Sequence, residues 1–365
     1  MANIAADRCL KDRAAVPSVA DIPVALLLFN RADCLARVVA ALRRVKPRRL
    51  FLIADGPRPG HRGDAEACRR ARAVAAAIDW PADLAWRAAD ANLGCDRCIP
   101  EGLDWLFDKV PEAIVLEDDM VPAADFFPWC AAMLDRYRGA PDISHVCGRN
   151  ELGSWPTGSA GHLLAMRGSL WGWATWAGAW KEVRAACLAG AARPPAALHG
   201  DPLVAERLAF AQDQLRRGHF VTWDATWSLG AALAGKYAVV APANLICNIG
   251  FRADATHNRF AGDFRGALPT GSVAACAAGP RPRPDVLFDR WVLLVELLAA
   301  QRDGARLLRL AKARHLVRDA VLRLHLAPFD DPDESVAVLR HLAANGTRSP
   351  QLDSVLARMD SMEVK

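Results

Sequence analysis

Three consecutive carboxylates, Glu117, Asp118 and Asp119, close the short apolar run Ala113-Ile114-Val115-Leu116. Acids stacked at the end of a strand repel one another unless a cation lies among them. Oxygen ligands in that position suit a hard divalent ion, Mn2+ or Mg2+, of the kind commonly shared with substrate phosphates. On an extended backbone alternate side chains share a face, so Glu117 and Asp119 are expected on one side and Asp118 on the other. The triplet also reads as a solvated acidic loop, or as a source of caps for a helix starting near Asp125.

Four further positions have side chains suited to a site. Asp224 lies in Trp223-Asp224-Ala225-Thr226-Trp227, where a buried carboxylate needs a partner or a proton, a condition that functional sites maintain. It also reads as the anchor of a turn. Asp55 opens Asp55-Gly56-Pro57, which is first a turn, with Gly56 free to supply a positive φ. Arg31 reads as a surface residue ahead of a helix cap, and His257 as a hydrogen-bonded structural histidine, unless a site recruits them.

The first 150 residues alternate short apolar runs with amphipathic ones, the pattern of an α/β fold with a parallel sheet. Val24 to Phe29 reads as a buried strand, and Asp33 is placed to cap a helix with Leu35, Val38, Val39 and Leu42 on one face. Leu50 to Ala54 and Leu84 to Ala88 read as strands. Ala65 to Ile78 and Arg97 to Phe107 read as helices, and Ala113 to Leu116 as the strand that delivers the acids. Ligands of such sheets sit beyond the carboxyl ends of the strands. Asn30-Arg31, Asp55-Gly56 and Glu117 to Asp119 all lie at such ends and are expected to converge.

Farther along, Trp173, Trp176 and Trp180 fall at i, i+3 and i+7, the spacing of one helical face. Most of these indoles read as a core stripe, while one or two lining a cleft would offer apolar faces to a sugar ring. Residues 261–283 are rich in Gly, Ala and Pro and read as a linker or lid, and residues 284–365 as a helical region. Arg306 to Leu324 interleaves basic residues with Leu and Val. Such a helix packs on its parent domain or lies on an anionic membrane surface.

Composition limits the choices. The 365 residues are 52% hydrophobic and 24% charged, enough for a full core and unlike a disordered chain. A net charge of +5, with much of the basic excess in that late helix, is not the concentrated footprint of a nucleic-acid binder. The first twenty residues carry no secretory pattern, and no run approaches the ~20 apolar residues of a membrane span. Ten cysteines without a framework spacing fit reduced thiols in a cytoplasm. Cys95-Asp96-Arg97-Cys98 has CxxC spacing without a second pair to complete a zinc site, and reads as structural.

Seven segments in order carry a resemblance: PVALLLFNR from Pro23 to Arg31, Ala54-Asp55-Gly56-Pro57, Asn92-Leu93-Gly94-Cys95, Leu116 to Asp119, WGWATWAGAW from Trp171 to Trp180, Trp223 to Trp227, and NIGFRADATH from Asn248 to His257. Together they resemble bacterial nucleotide-sugar glycosyltransferases of the GT-A fold, and more distantly the N-acetylglucosaminyltransferase I type with its Glu-Asp-Asp metal motif. The likeness covers about residues 21–260, following an N-terminal segment of residues 1–20, and leaves the C-terminal helical appendage aside.

The resemblance implies a Rossmann-like mixed sheet flanked by helices and a donor that is a nucleoside-diphosphate sugar, UDP-linked by preference. The acceptor would be a glycan, lipid-linked or protein hydroxyl in cell-envelope glycan synthesis, with the enzyme in the cytoplasm or, through the basic late helix, at the inner face of the membrane. Asn30, Arg31, Asp55, Gly56, Arg97, Glu117 and Asp118 would hold the nucleotide sugar, with Asp55 accepting from a base N–H. Asp119 and His257 would bind Mn2+ or Mg2+. Asp224 would be the general base of an inverting transfer, beside a cleft lined by Trp173, Trp223 and Trp227. The N-acetylglucosaminyltransferase I type has adjacent acids where this chain has Asp224-Ala225, so the match departs there.

Two other readings share parts of this pattern. A nucleotidyltransferase has the sheet and the acids but carries a Gly-rich loop after the first strand, where this chain has Asn30-Arg31-Ala32-Asp33. A non-catalytic nucleotide-sugar-binding module would need only part of the acids. A Walker-type kinase is excluded for want of the G-x-x-x-x-G-K motif.

Overall fold

A computed structural model describes residues 18–188, 202–217, 222–251, 266, 268–273, 279–290 and 292–293. Its strands are β1 (Val24–Leu28), β2 (Arg49–Ala54), β3 (Asp83–Ala88), β4 (Glu112–Glu117), β5 (Met120–Pro122), β6 (Ile143–Cys147), β7 (Leu163–Ala165), β8 (Trp173–Trp176), β9 (Tyr237–Val240) and β10 (Ile246–Asn248). Its α-helices are α1 (Ala32–Leu42), α2 (Asp64–Ala76), α3 (Cys95–Phe107), α4 (Phe126–Arg136), α5 (Ala177–Leu188), α6 (Pro202–Arg216) and α7 (Trp223–Leu233).

Eight strands form one mixed sheet in the order β3-β2-β1-β4-β8-β6-β9-β7, and β10 pairs with β5 in a small second sheet. The first four neighbours are parallel, and β8 runs antiparallel to both β4 and β6. Both faces of the sheet are covered, which is why β1 and β4 read as continuous apolar runs. Leu26, Leu28, Ile114 and Leu116 enter one core with Leu35, Val38 and Trp129. Their neighbours Ala25, Leu27, Ala113 and Val115 enter the other, with Leu103, Leu106 and the indoles of Trp173, Trp180 and Trp227.

Parallel register produces the convergence expected from the sequence. Leu28 pairs with Ala54 and Leu27 with Glu117, so β1, β2 and β4 end at one edge.

Three local expectations differ. Asp33 lies inside the first turn of α1, where Arg31 holds the cap position without a side-chain cap bond. The acidic triplet does not cap α4, where Asp125 holds the cap position without a cap bond and its carboxylate accepts from the Ser272 hydroxyl (2.6 Å) and the Val273 N–H (3.0 Å). Trp173 and Trp176 belong to a strand rather than a helix, since pairing to β4 and β6 overrides their 3.6-residue spacing.

The described parts of the expected linker dock on the domain. Leu268 is buried, and the Gly271 N–H donates to Asn244 O. Asp289, beyond that stretch, accepts the N–H groups of Met166 and Arg167. The basic Arg306 to Leu324 stretch lies outside the described residues. Among the described residues no helix is long and apolar enough to cross a membrane, and the eight described cysteines stand outside any disulfide.

Candidate active site

At the ends of β1 and β4 the acids meet a single guanidinium. The chain turns at Asp118-Asp119, so strand alternation stops at Glu117 and both aspartates reach Arg31. Arg31 forms an ion pair with Asp118 through Nη2, and Nη1 donates to Asp119 Oδ2 at 2.7 Å. The other Asp118 oxygen accepts the Phe29 N–H at 3.2 Å. Asp118 therefore ties β4 to β1 from within, where it is 2% exposed, and does not face an open nucleotide pocket.

The electrostatics follow from this crowding. Burial opposes the charge on Arg31, yet Asp118 and Asp119 hold its pKa above the ordinary arginine value. Burial pushes Asp118 up to about 6, with Arg31 and the Phe29 N–H opposing and Asp119 adding repulsion. Glu117, only partly buried by its exposed surface, is raised well above a normal glutamate, first by desolvation and then by Asp119, Asp224 and Asp118. That coupling brings Asp224, from the first turn of α7, within range of the triplet. No hydrogen-bond donor pairs with the Asp224 carboxylate among the described residues.

The second oxygen of Asp119, Oδ1, is buried and has no hydrogen-bond partner among the described residues. A buried carboxylate oxygen without a donor is costly, and a cation is one way to satisfy it. Among the described residues no group of three or more His, Cys, Asp and Glu is arranged to hold a metal by itself. Mg2+ and similar ions are generally held by one or two carboxylates plus substrate phosphates, so Asp119 Oδ1 with Glu117 fits a shared ion of this kind.

The β10 end covers Asp119. The Ile249 N–H donates to Asp119 O at 2.9 Å, and a Cβ placed on Gly250 would lie 1.9 Å from Asp119 Oδ2 and 2.8 Å from Arg31 Nη1. Only glycine lets this backbone pass so close. Position 250 has no role in the sequence reading, although it stands in a motif quoted there. His257, six residues past Phe251, lies outside the described residues.

Asp55 does different work from that expected. Its Oδ1 accepts from the Gly56 and Leu93 N–H groups, both at 2.8 Å, and its Oδ2 from Asn92 Nδ2 at 2.9 Å and the Gly94 N–H at 3.0 Å. An ionised carboxylate offers about four lone-pair sites. All are taken, which leaves none for a base N–H, so Asp55 organises the loop that leads into α3. Gly56 is needed for space rather than for a positive φ: an added Cβ would come 2.4 Å from the Ala91 carbonyl carbon.

The remaining residues sit farther out or deeper in. Asn30 donates to Asp64 (3.2 Å), which Arg58 also holds. Arg97 pairs with Glu101 at 2.7 Å and is two-thirds exposed (66%), on the surface of α3. Trp173, Trp223 and Trp227 are 1%, 8% and 3% exposed. Trp227 stacks on Trp180 at 4.7 Å and packs on Trp173 at 5.4 Å, so these indoles are core beneath Asp224 rather than a cleft wall. Trp171 remains partly exposed, with the fully buried Arg149 guanidinium 4.8 Å from its ring and Phe251 edge-on at 5.7 Å.

No family model matches the chain, and no curated protein matches it. Among solved structures it is similar to the mannosyltransferase PcManGT from Pyrobaculum calidifontis in complex with GDP-Man and Mn2+. The identity is 14%, over 96% of this chain and 90% of that one, with a TM-score of 0.38. At that score the likeness carries no functional weight. What the geometry defines is a mixed α/β fold with helices on both faces of its sheet and a carboxylate-rich edge at the ends of its parallel strands.

Proposed function

We propose that this chain is a metal-dependent glycosyltransferase that moves a sugar from a nucleoside-diphosphate donor to a hydroxyl acceptor. The reading is carried by Asp119 Oδ1, buried and without a partner among the described residues, in an acid cluster where Asp119, Asp224 and Asp118 all act on Glu117. Among the described residues Glu117, Asp118, Asp119 and Asp224 bring four carboxyl groups together with one guanidinium, a donor set that suits a divalent cation.

Asp119 and Glu117 would hold that cation, with His257 as a further ligand of the proposal. Bound there, Mn2+ or Mg2+ supplies charge stabilisation to the departing nucleoside diphosphate. Arg31 fixes the rotation of Asp119 by holding Oδ2, and Asp118 fixes Arg31 against β1. Asp224 accepts the proton of the acceptor hydroxyl as that oxygen attacks the anomeric carbon. One displacement with one base inverts the anomeric centre. A UDP-linked donor and a cell-envelope acceptor follow from the sequence resemblance and belong to the same proposal.

The test is a panel of nucleotide sugars with Mn2+, scored for transfer and for product configuration by NMR. Asp224→Asn is expected to slow the chemical step by roughly 10²–10⁴-fold with donor affinity intact. Retained configuration would overturn the single displacement, and unchanged turnover would move the base elsewhere.

A further inference from the structure

Resting on that reading, we infer that Asp96 is a positioning residue for the proton-accepting carboxylate of Asp224. Asp96 stands in the first turn of α3, and its Oδ1 accepts the Trp223 N–H at 2.8 Å from 127 residues away in the chain. Trp223 is the first residue of α7, and Asp224 is the second. The first N–H groups of a helix lack intrahelical acceptors. Thr222, at the cap position of α7, makes no side-chain cap bond, so α3 supplies what α7 lacks.

The apolar side of α7 is set by indole packing, Trp227 on Trp180 and Trp223 on Trp173 at 6.3 Å. Such packing buries area but is weakly directional. The Asp96 bond is directional and acts at the turn that carries Asp224, so it fixes how the base faces Glu117. The charges of both acids reach the start of α3: burial first, then Asp96, Glu117 and Asp224, push the neighbouring Cys95 thiol up to about 12. Asp55 holds the N–H groups of Leu93 and Gly94 immediately upstream. A continuous path therefore runs from the end of β2, through the loop and Asp96, to Asp224.

Asp96 is exposed, so its removal leaves no buried hole. The experiment compares Asp96→Ala, Asp96→Asn and Asp285→Ala in the full chain, measuring kcat, donor KM and Tm. Asp285 is a matched control. It accepts the Phe288 N–H (2.9 Å) and Trp155 Nε1 (2.8 Å) beside β7, at the far edge of the sheet.

Asp96→Ala is expected to lower kcat by roughly 10–100-fold, the scale of a displaced catalytic group, with donor KM unchanged. Asp96→Asn should recover most of that loss, because the carboxamide oxygen accepts the same N–H. Asp285→Ala should lower Tm and leave kcat alone. The inference is overturned if Asp96→Ala keeps wild-type kcat, if Asp96→Asn is equally slow, or if Asp285→Ala loses as much kcat. A wild-type protein without turnover on any nucleotide sugar would instead overturn the glycosyl-transfer reading, and the inference with it.

Discussion

Arg31 takes one oxygen of Asp119 and leaves the other bare. The 2.7 Å contact from Nη1 to Oδ2 fixes the carboxylate while Oδ1 stays buried without a donor. A structural ion pair would normally satisfy both oxygens, often in the two-pronged arrangement that guanidinium allows. Here the second prong goes to Asp118. Arg31 thereby compensates two acids and leaves one Asp119 oxygen without a donor among the described residues.

Arg31 also sets the stability of the unliganded site. Arg31→Ala should destabilise the fold by about 3 kcal/mol, because it leaves Asp118 and Asp119 buried without a counter-charge. Added Mn2+ should recover part of that loss. Urea unfolding with and without Mn2+ checks it, and a variant as stable as wild type would mean that the pair contributes nothing.

Gly250→Ala tests the cover over Asp119. The new methyl group would overlap Asp119 Oδ2, so Asp119 or the β10 end must move. Metal affinity and turnover are expected to fall together. The β5–β10 pairing of Ile246–Asn248 with Met120–Pro122 lies outside the overlap and should hold the fold. Calorimetric Mn2+ titration in the presence of nucleoside diphosphate, with circular dichroism as the fold control, measures both.

For Asp55 the expected effect is structural. Asp55→Asn keeps one acceptor oxygen where four donors now converge and leaves at least one N–H of the Asn92–Gly94 loop unsatisfied. The loss should be on the order of 1–3 kcal/mol. Amide exchange at Leu93 and Gly94 should accelerate. If exchange there is unchanged while nucleotide affinity collapses, Asp55 contacts the ligand directly.

Acid should weaken the Asn30 corner. Asp64 is lowered from 3.8 to about 2, chiefly by the Arg58 hydrogen bond and against the cost of burial. A depressed folded pKa contributes stability that is present above the unfolded value and lost as pH falls through the folded one. Wild type should therefore exceed Asp64→Asn in stability near neutral pH, by on the order of 1 kcal/mol given the partly exposed Arg58. That margin should shrink between pH 4 and pH 2. A margin independent of pH would assign the effect to packing.

The strands and their acids were legible because both faces of β1 and β4 are apolar and the charges begin where burial ends. Which way Asp118 and Asp119 point was not, because the chain turns there and the period-2 rule no longer applies. The tryptophans misled through spacing alone: WATW of β8 has helical intervals, but its backbone bonds go to β4 and β6. Asp55 looked like a turn residue and a ligand contact. Its four donors lie in part 37 to 39 residues onward, a distance that no local pattern encodes. Asp96 was hidden for the same reason, inside a CxxC spacing that drew attention to its cysteines.

The most direct test of the central claim is Mn2+-dependent turnover of the preferred nucleotide sugar by wild type and Asp119→Asn. A carboxamide nearly preserves the shape of the side chain, so Tm and the β4 end should survive while the charged oxygen is lost. Wild type is expected to lose turnover in saturating chelator and regain it with Mn2+. Asp119→Asn should be slower by at least roughly 10²-fold at any Mn2+ concentration, the scale of losing one group that stabilises developing charge. Undiminished wild-type turnover in chelator, or an Asp119→Asn variant as fast as wild type, would contradict the account.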